Sequence, residues 1–142
     1  MRVAVLYESL TGNTERAATM VAEAAAAAGA DVSLASVARP DLTALAAADL
    51  VVVGTWVDGL VVAGHRPGGA ARLHRLPVID RKPVALYMTY AIHAGRALDK
   101  FGALIEGRGG AVLGGRLLRR DRLAEGVDDF VLAALDQVPA GH

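Results

Sequence analysis

The sequence predicts an α/β protein: a doubly wound, five-stranded parallel sheet with strand order 2-1-3-4-5. Short apolar, β-branched segments alternate with longer segments of helical periodicity along all 142 residues. That alternation is the pattern of parallel strands joined by crossover helices. The inner strands read as unbroken apolar runs, so both faces of the sheet are covered. The length is that of one domain, and 54% hydrophobic residues suffice to fill its core.

Residues 3–7, VAVLY, form the first strand. A helix follows over 14–28, with Ala17, Met20, Val21, Ala24 and Ala28 on one face and Gly29 as its stop. DVSLASV, residues 31–37, alternates with period two and makes the second strand. Pro40 and Asp41 open a short helix, DLTALAAA, and LVVV at 50–53 is the third strand. Residues 54–69 read as a long irregular stretch, with a short helix over 69–76. Pro83 precedes VALYMT, the fourth strand. Residues 94–108 are helical, with Ala97, Leu98, Phe101, Leu104 and Ile105 on one stripe, and Gly109 and Gly110 end them. AVLGGRLL is the fifth strand. The last helix spans 123–138, with Leu123, Val127, Phe130, Val131, Ala134, Leu135 and Val138 facing the core. No repeat or linker interrupts the pattern, so residues 1–142 are expected to form a single domain.

Several function classes drop out. The apolar runs are too short for a membrane span, and RVAVLY at the start is not followed by a signal-peptide cleavage site. A cytoplasmic protein is expected. The chain has no cysteine, which excludes disulfides and thiolate metal sites. Fifteen Lys and Arg balance fifteen Asp and Glu, which argues against broad nucleic-acid binding. His65 and His74 lack acidic neighbours at ligand spacing, so no metal is expected. A Gly-x-Ser-x-Gly nucleophile elbow is missing. A phospho-receiver needs an acidic cluster after strand 1 and a Lys after strand 5, but only Glu8 and RLLRRDR stand there.

In such sheets the ligand binds outside the carboxyl ends of the strands, where the winding direction reverses. Three loops meet there: residues 8–14, 54–64 and 88–95. The first carries Ser9, Leu10, Thr11, Gly12, Asn13 and Thr14 into the first helix. A helix N-terminus offers free backbone N–H groups to a phosphate, and hydroxyls add donors. No Lys or Arg lies in this loop, which suits a bound monoester held by neutral hydrogen bonds. The Gly-Lys-Ser/Thr ending of a P-loop and the G-x-G-x-x-G of a dinucleotide fold are both absent. An ordinary cap by Asn13 or Thr14 is the plain alternative.

SLTGNT at 9–14, after a first strand and opening a helix, resembles the FMN phosphate loop of the flavodoxin family, S/T-x-T-G-x-T. The resemblance implies a flavodoxin-like fold, FMN as cofactor, and electron transfer. It also implies an aromatic against the flavin ring after strand 3, where Trp56 stands in GTWVDGLVVAG. A core Trp packed beneath the loop is the other reading. Flavodoxins bias flavin chemistry through a peptide unit beside N5, and Asp58-Gly59 supplies a residue tolerant of positive φ for it. A plain turn reads equally well. A buried acid near N1 would disfavour a negatively charged reduced ring. After strand 4 the resemblance implies a second ring-facing aromatic, Tyr90, with backbone groups of Thr89 and Ala91 beside it; His93 is a flavin-bonding or capping residue.

The implied site is therefore Ser9–Thr14 for the phosphate. Thr55, Trp56, Val57, Asp58 and Gly59 on one side, and Thr89, Tyr90, Ala91 and His93 on the other, surround the ring. No catalytic residue is required for outer-sphere transfer. Many flavodoxins are strongly acidic, whereas this chain is neutral and carries a basic run at Arg116, Arg119, Arg120 and Arg122. That run reads as a solvated surface, as a dock for an acidic redox partner, or as a contact for nucleotide phosphates. LVVAG at 60–64 is apolar for a loop. Two alternatives to the carrier stand: an FMN-dependent quinone or porphyrinogen-type oxidoreductase, and an interaction module of the same fold that has lost flavin.

Overall fold

A computed structural model describes residues 1–9, 12–58, 66–73, 79, 81–91 and 94–139. The elements are β1 (Arg2–Tyr7), α1 (Asn13–Ala27), β2 (Asp31–Ser36), α2 (Leu42–Ala47), β3 (Leu50–Asp58), β4 (Arg66–Pro67), α3 (Ala70–Leu73), β5 (Pro83–Tyr90), α4 (Ala97–Gly107), β6 (Ala111–Arg119) and α5 (Val127–Gln137). Five of the strands run parallel in the order β2-β1-β3-β5-β6. Counting those strands alone, this is the predicted order 2-1-3-4-5. β4 adds a two-residue antiparallel pairing at the far end of β3.

Alternation along the strands sorts the core into two layers. Val3, Val5, Leu50, Val52 and Tyr87 face α1 and α5, where Ala17, Val21, Phe130 and Val131 close the layer. Ala4, Leu6, Val51, Val53 and Leu86 face the other side, beneath Leu45, Leu73, Phe101 and Ile105 of α2, α3 and α4. β1, β3 and β5 are covered on both faces, which is why they read as continuous apolar runs. β2 and β6 are the edges of the parallel sheet, and their residues are mostly half-buried or exposed.

The strongest correction concerns β3. It does not stop at Val53 but continues through Gly54, Thr55, Trp56 and Val57 to Asp58. Thr55 and Trp56 pair with Met88 and Thr89 of β5, and Val57 and Asp58 pair with Pro67 and Arg66 of β4. Thr, Trp and Val are good strand formers, and the partner strands supply the hydrogen bonds that an isolated loop reading cannot see. Gly54 survives inside the strand because the Tyr87 ring lies over it; a Cβ there would fall within that ring.

Helix starts shift for a common reason. α4 begins at Ala97 rather than 94 because Gly95 adopts φ 55, outside the helical region. α5 begins at Val127 rather than 123 because Gly126 sits at φ 86, although Leu123 is still buried. In α1 the buried face is Thr14, Ala17, Ala18, Val21 and Ala25, while Ala28 is an exposed C-cap. The run of five alanines from Ala24 to Ala28 has no contrast in size or polarity, so its sequence does not mark the face. α2 does begin after Asp41, whose carboxylate accepts the N–H of Ala44 at 3.0 Å. α3 covers only part of the predicted 69–76, and residues 74–76 lie outside the described residues.

Candidate functional site at the carboxyl edge of the sheet

β1 ends against β3 through the Glu8 N–H, which donates to the Gly54 carbonyl at 2.9 Å. The chain then turns into α1. The Ser9 hydroxyl oxygen accepts the Gly12 N–H at 3.0 Å, folding the loop back on itself. Gly12 is the N-cap, with φ 92 and ψ −10. This left-handed conformation suits glycine. The N-cap position is therefore Gly12, which has no side chain to cap with, and Asn13 and Thr14 already lie inside the helix. The first N–H groups of a helix have no partner within it, and here the dipole's positive end faces the loop. Leu10 and Thr11 lie outside the described residues.

Thr14 is tied to β5. Its side chain is buried, and its hydroxyl shares a 3.0 Å hydrogen bond with that of Thr89 on β5. Its carbonyl accepts the Tyr87 hydroxyl at 3.0 Å. Burial pushes the Tyr87 phenol far above its ordinary range, with a smaller contribution from Tyr7, so it remains a neutral donor. Two bonds from β5 thus fasten the first turn of α1. The Tyr7 phenol borders the same helix, donating to Glu15 at 3.2 Å; burial first, then the Glu15 carboxylate, raise its pKa.

On β3, the buried Thr55 hydroxyl donates to the Gly68 carbonyl at 2.6 Å. The Gly68 N–H returns a bond to the Trp56 carbonyl at 2.6 Å. The half-buried Trp56 indole packs against Gly68, where a Cβ would overlap its ring. Trp56 is therefore a strand residue seated on a glycine turn, not a loop-tip aromatic. Val57 joins the α2–α4 layer of the core. Asp58 ends β3 in register with Arg66, so its backbone is sheet rather than turn. Gly59, the apolar run 60–64, His65 and His74 lie outside the described residues.

Thr89 and Tyr90 finish β5, opposite Leu118 and Arg119. The Tyr90 carbonyl accepts the Arg120 N–H at 2.9 Å; Tyr90 and Ala91 are half-buried, and His93 is outside the described residues. The ends of β1, β3 and β5 therefore gather Ser9, Gly12, Asn13, Thr14, Trp56, Thr89 and Tyr90 on one edge. The basic run is not one patch. Arg116 lies against Gly126 at the start of α5, while Arg119 is paired with Asp121 through two 3.1 Å bonds. Arg120 and Arg122 are exposed.

Two residues here were not singled out from the sequence. Glu8, only 3% exposed, follows β1, and its Oε1 accepts from Arg72 Nη1 of α3 at 3.0 Å. Its Oε2 is buried and has no partner among the described residues. Glu8 does stand out as a carboxylate at the end of an apolar strand, but nothing in the sequence points to Arg72, 64 residues away.

Residues 4–104 match the family model described as the flavodoxin domain. The chain belongs to the flavodoxin family. Among solved structures it is similar to two-electron reduced Megasphaera elsdenii flavodoxin, with a TM-score of 0.76 and 25% identity over 94% of this chain and 98% of that one. It is also similar to oxidised flavodoxin 1 of Bacillus cereus, with TM-score 0.73 and 18% identity over 98% and 100% of the two chains. A mutant flavodoxin from Pseudomonas aeruginosa superposes with TM-score 0.70 and 20% identity over 95% and 99%. No curated protein sequence matches the chain. Among the described residues, no helix of this flavodoxin-family protein is long and apolar enough to cross a membrane.

Proposed function

We propose that this chain binds FMN non-covalently and carries electrons between partner proteins in the cytoplasm. The supporting observation is the start of α1: a left-handed Gly12 at the N-cap, its N–H held by the Ser9 hydroxyl, and a first helical turn fastened to β5. Such a turn fits a phosphate monoester, because its donors are neutral, fixed and aimed by a helix end. Ser9, Gly12 and Asn13 are the described residues that would hold the phosphate, with Leu10 and Thr11 completing the motif. Thr14 supports them from below. Trp56 and Tyr90 would flank the ring, and of the segments 55–59 and 89–93 the described backbones of residues 55–58 and 89–91 would meet its polar edge. Bound FMN supplies one- and two-electron transfer; the protein binds it, orients it and sets its electrostatic surroundings. Exposed Arg120 and Arg122 would dock an acidic redox partner, an attraction that salt weakens.

The deciding experiment is a visible absorption spectrum of the purified protein after FMN is added and the excess removed. A retained flavin band with quenched Trp56 fluorescence supports the reading. A colourless protein with unchanged fluorescence overturns it and leaves the interaction module. Turnover of a quinone with a chemical reductant would instead favour the oxidoreductase.

A further inference from the structure

We infer that Glu8 is a ligand-facing residue whose free carboxylate oxygen accepts a hydrogen bond from a hydroxyl of the flavin's sugar-alcohol chain. The inference rests on the FMN reading. Glu8 is 3% exposed, yet among the described residues its Oε2 has no partner. A buried carboxylate oxygen left unpaired is costly, and native structures usually explain one by a ligand, an ion or a function. The rest of the side chain is fixed. Oε1 is bonded to Arg72 at 3.0 Å, and the methylene stem is covered by Gly69, where a Cβ would overlap Glu8 Cγ. Gly69, at φ 64, permits that close approach.

A carboxylate can accept but not donate, so its partner must carry an O–H or N–H. The phosphate, all acceptor oxygens and charge, is excluded. Arg72 balances the Glu8 charge where a phosphate would otherwise be repelled. Covalent order within FMN then selects the donor. Glu8 is one residue before Ser9, whose loop would hold the phosphate, and the hydroxyls of the chain lie next to that phosphate. The ring is farther along, toward the ends of β3 and β5.

The test measures dissociation constants of FMN, riboflavin and lumiflavin, by flavin fluorescence, for the wild-type protein and Glu8→Ala. Riboflavin keeps the hydroxyls and lacks the phosphate; lumiflavin keeps only the ring. The substitution is expected to weaken FMN and riboflavin about tenfold and leave lumiflavin unchanged, the scale of one hydrogen bond to a charged group. Unchanged FMN and riboflavin binding would overturn the assignment. Equal weakening of lumiflavin would also overturn it, by putting the carboxylate against the ring. If wild-type protein binds no FMN, the underlying FMN reading fails, whatever Glu8 does. Should Glu8→Ala not fold, Glu8→Gln is read in the same way, with the same ranking of losses at smaller size.

Discussion

Tyr87 occupies the centre of the sheet with its ring packed edge-on to Phe130, centroids 6.2 Å apart, and its hydroxyl on the Thr14 carbonyl. Tyr87→Phe keeps the packing and removes this hydrogen bond from a carbonyl that also belongs to the α1 ladder. The expected cost is about 0.5–1.5 kcal/mol in denaturant unfolding. FMN affinity should fall as well, because the first turn of α1 loses one of its two fastenings. The same residue predicts a pH dependence. Its folded pKa is raised above the unfolded value of 10.0, so the folded state keeps a proton that the unfolded chain loses. That stabilisation is fully present below pH 10 and is lost as pH rises from there toward the folded pKa. Between pH 9 and 11 the unfolding midpoint should fall more steeply in wild type than in Tyr87→Phe. Gly54→Ala tests the contact of that ring with β3. Its Cβ would overlap Tyr87, and overpacking of this kind costs about 1–3 kcal/mol, read as a lower melting temperature.

Among the elements, β3 carries the most information about the site. Its extension to Asp58 places Trp56 on a strand and Gly68–Gly69 against it. The start of α1 depends on Gly12, whose φ of 92 an L-residue adopts only with strain. Space is not the obstacle, since a Cβ at Gly12 meets nothing within 4 Å. Gly12→Ala should therefore destabilise by about 1–2 kcal/mol through the backbone alone. It should also weaken FMN more than lumiflavin, because the disturbed turn is the one proposed for the phosphate. Titration of the two ligands against the variant checks this. The helix start after the first loop is legible because it rests on short-range signals, a glycine followed at once by helical periodicity. The strand at Trp56 is not legible in the sequence, because its pairing with Thr89, like that of Thr55 with Met88, is not a local property.

For the whole molecule, ligand binding and folding are linked. If FMN binds only the folded chain, FMN at a hundred times its Kd stabilises by about 2.7 kcal/mol. For a chain of 142 residues that is a rise of roughly 10 °C in melting temperature, and a thermal scan with and without FMN measures it. The alternation of strand and helix and the loop motif follow from patterns within a few residues of one another, and the doubly wound order from that alternation and the rules for crossovers, so the sequence alone determined them. Contacts across the sheet were decided only by the tertiary structure. Arg72 meets Glu8 across 64 residues, Thr89 meets Thr14 across 75, and Tyr87 covers Gly54 from the neighbouring strand. The physical reason is that parallel strands become neighbours only through long crossovers, so the partner of a buried polar group is chosen by sheet register and not by its sequence surroundings.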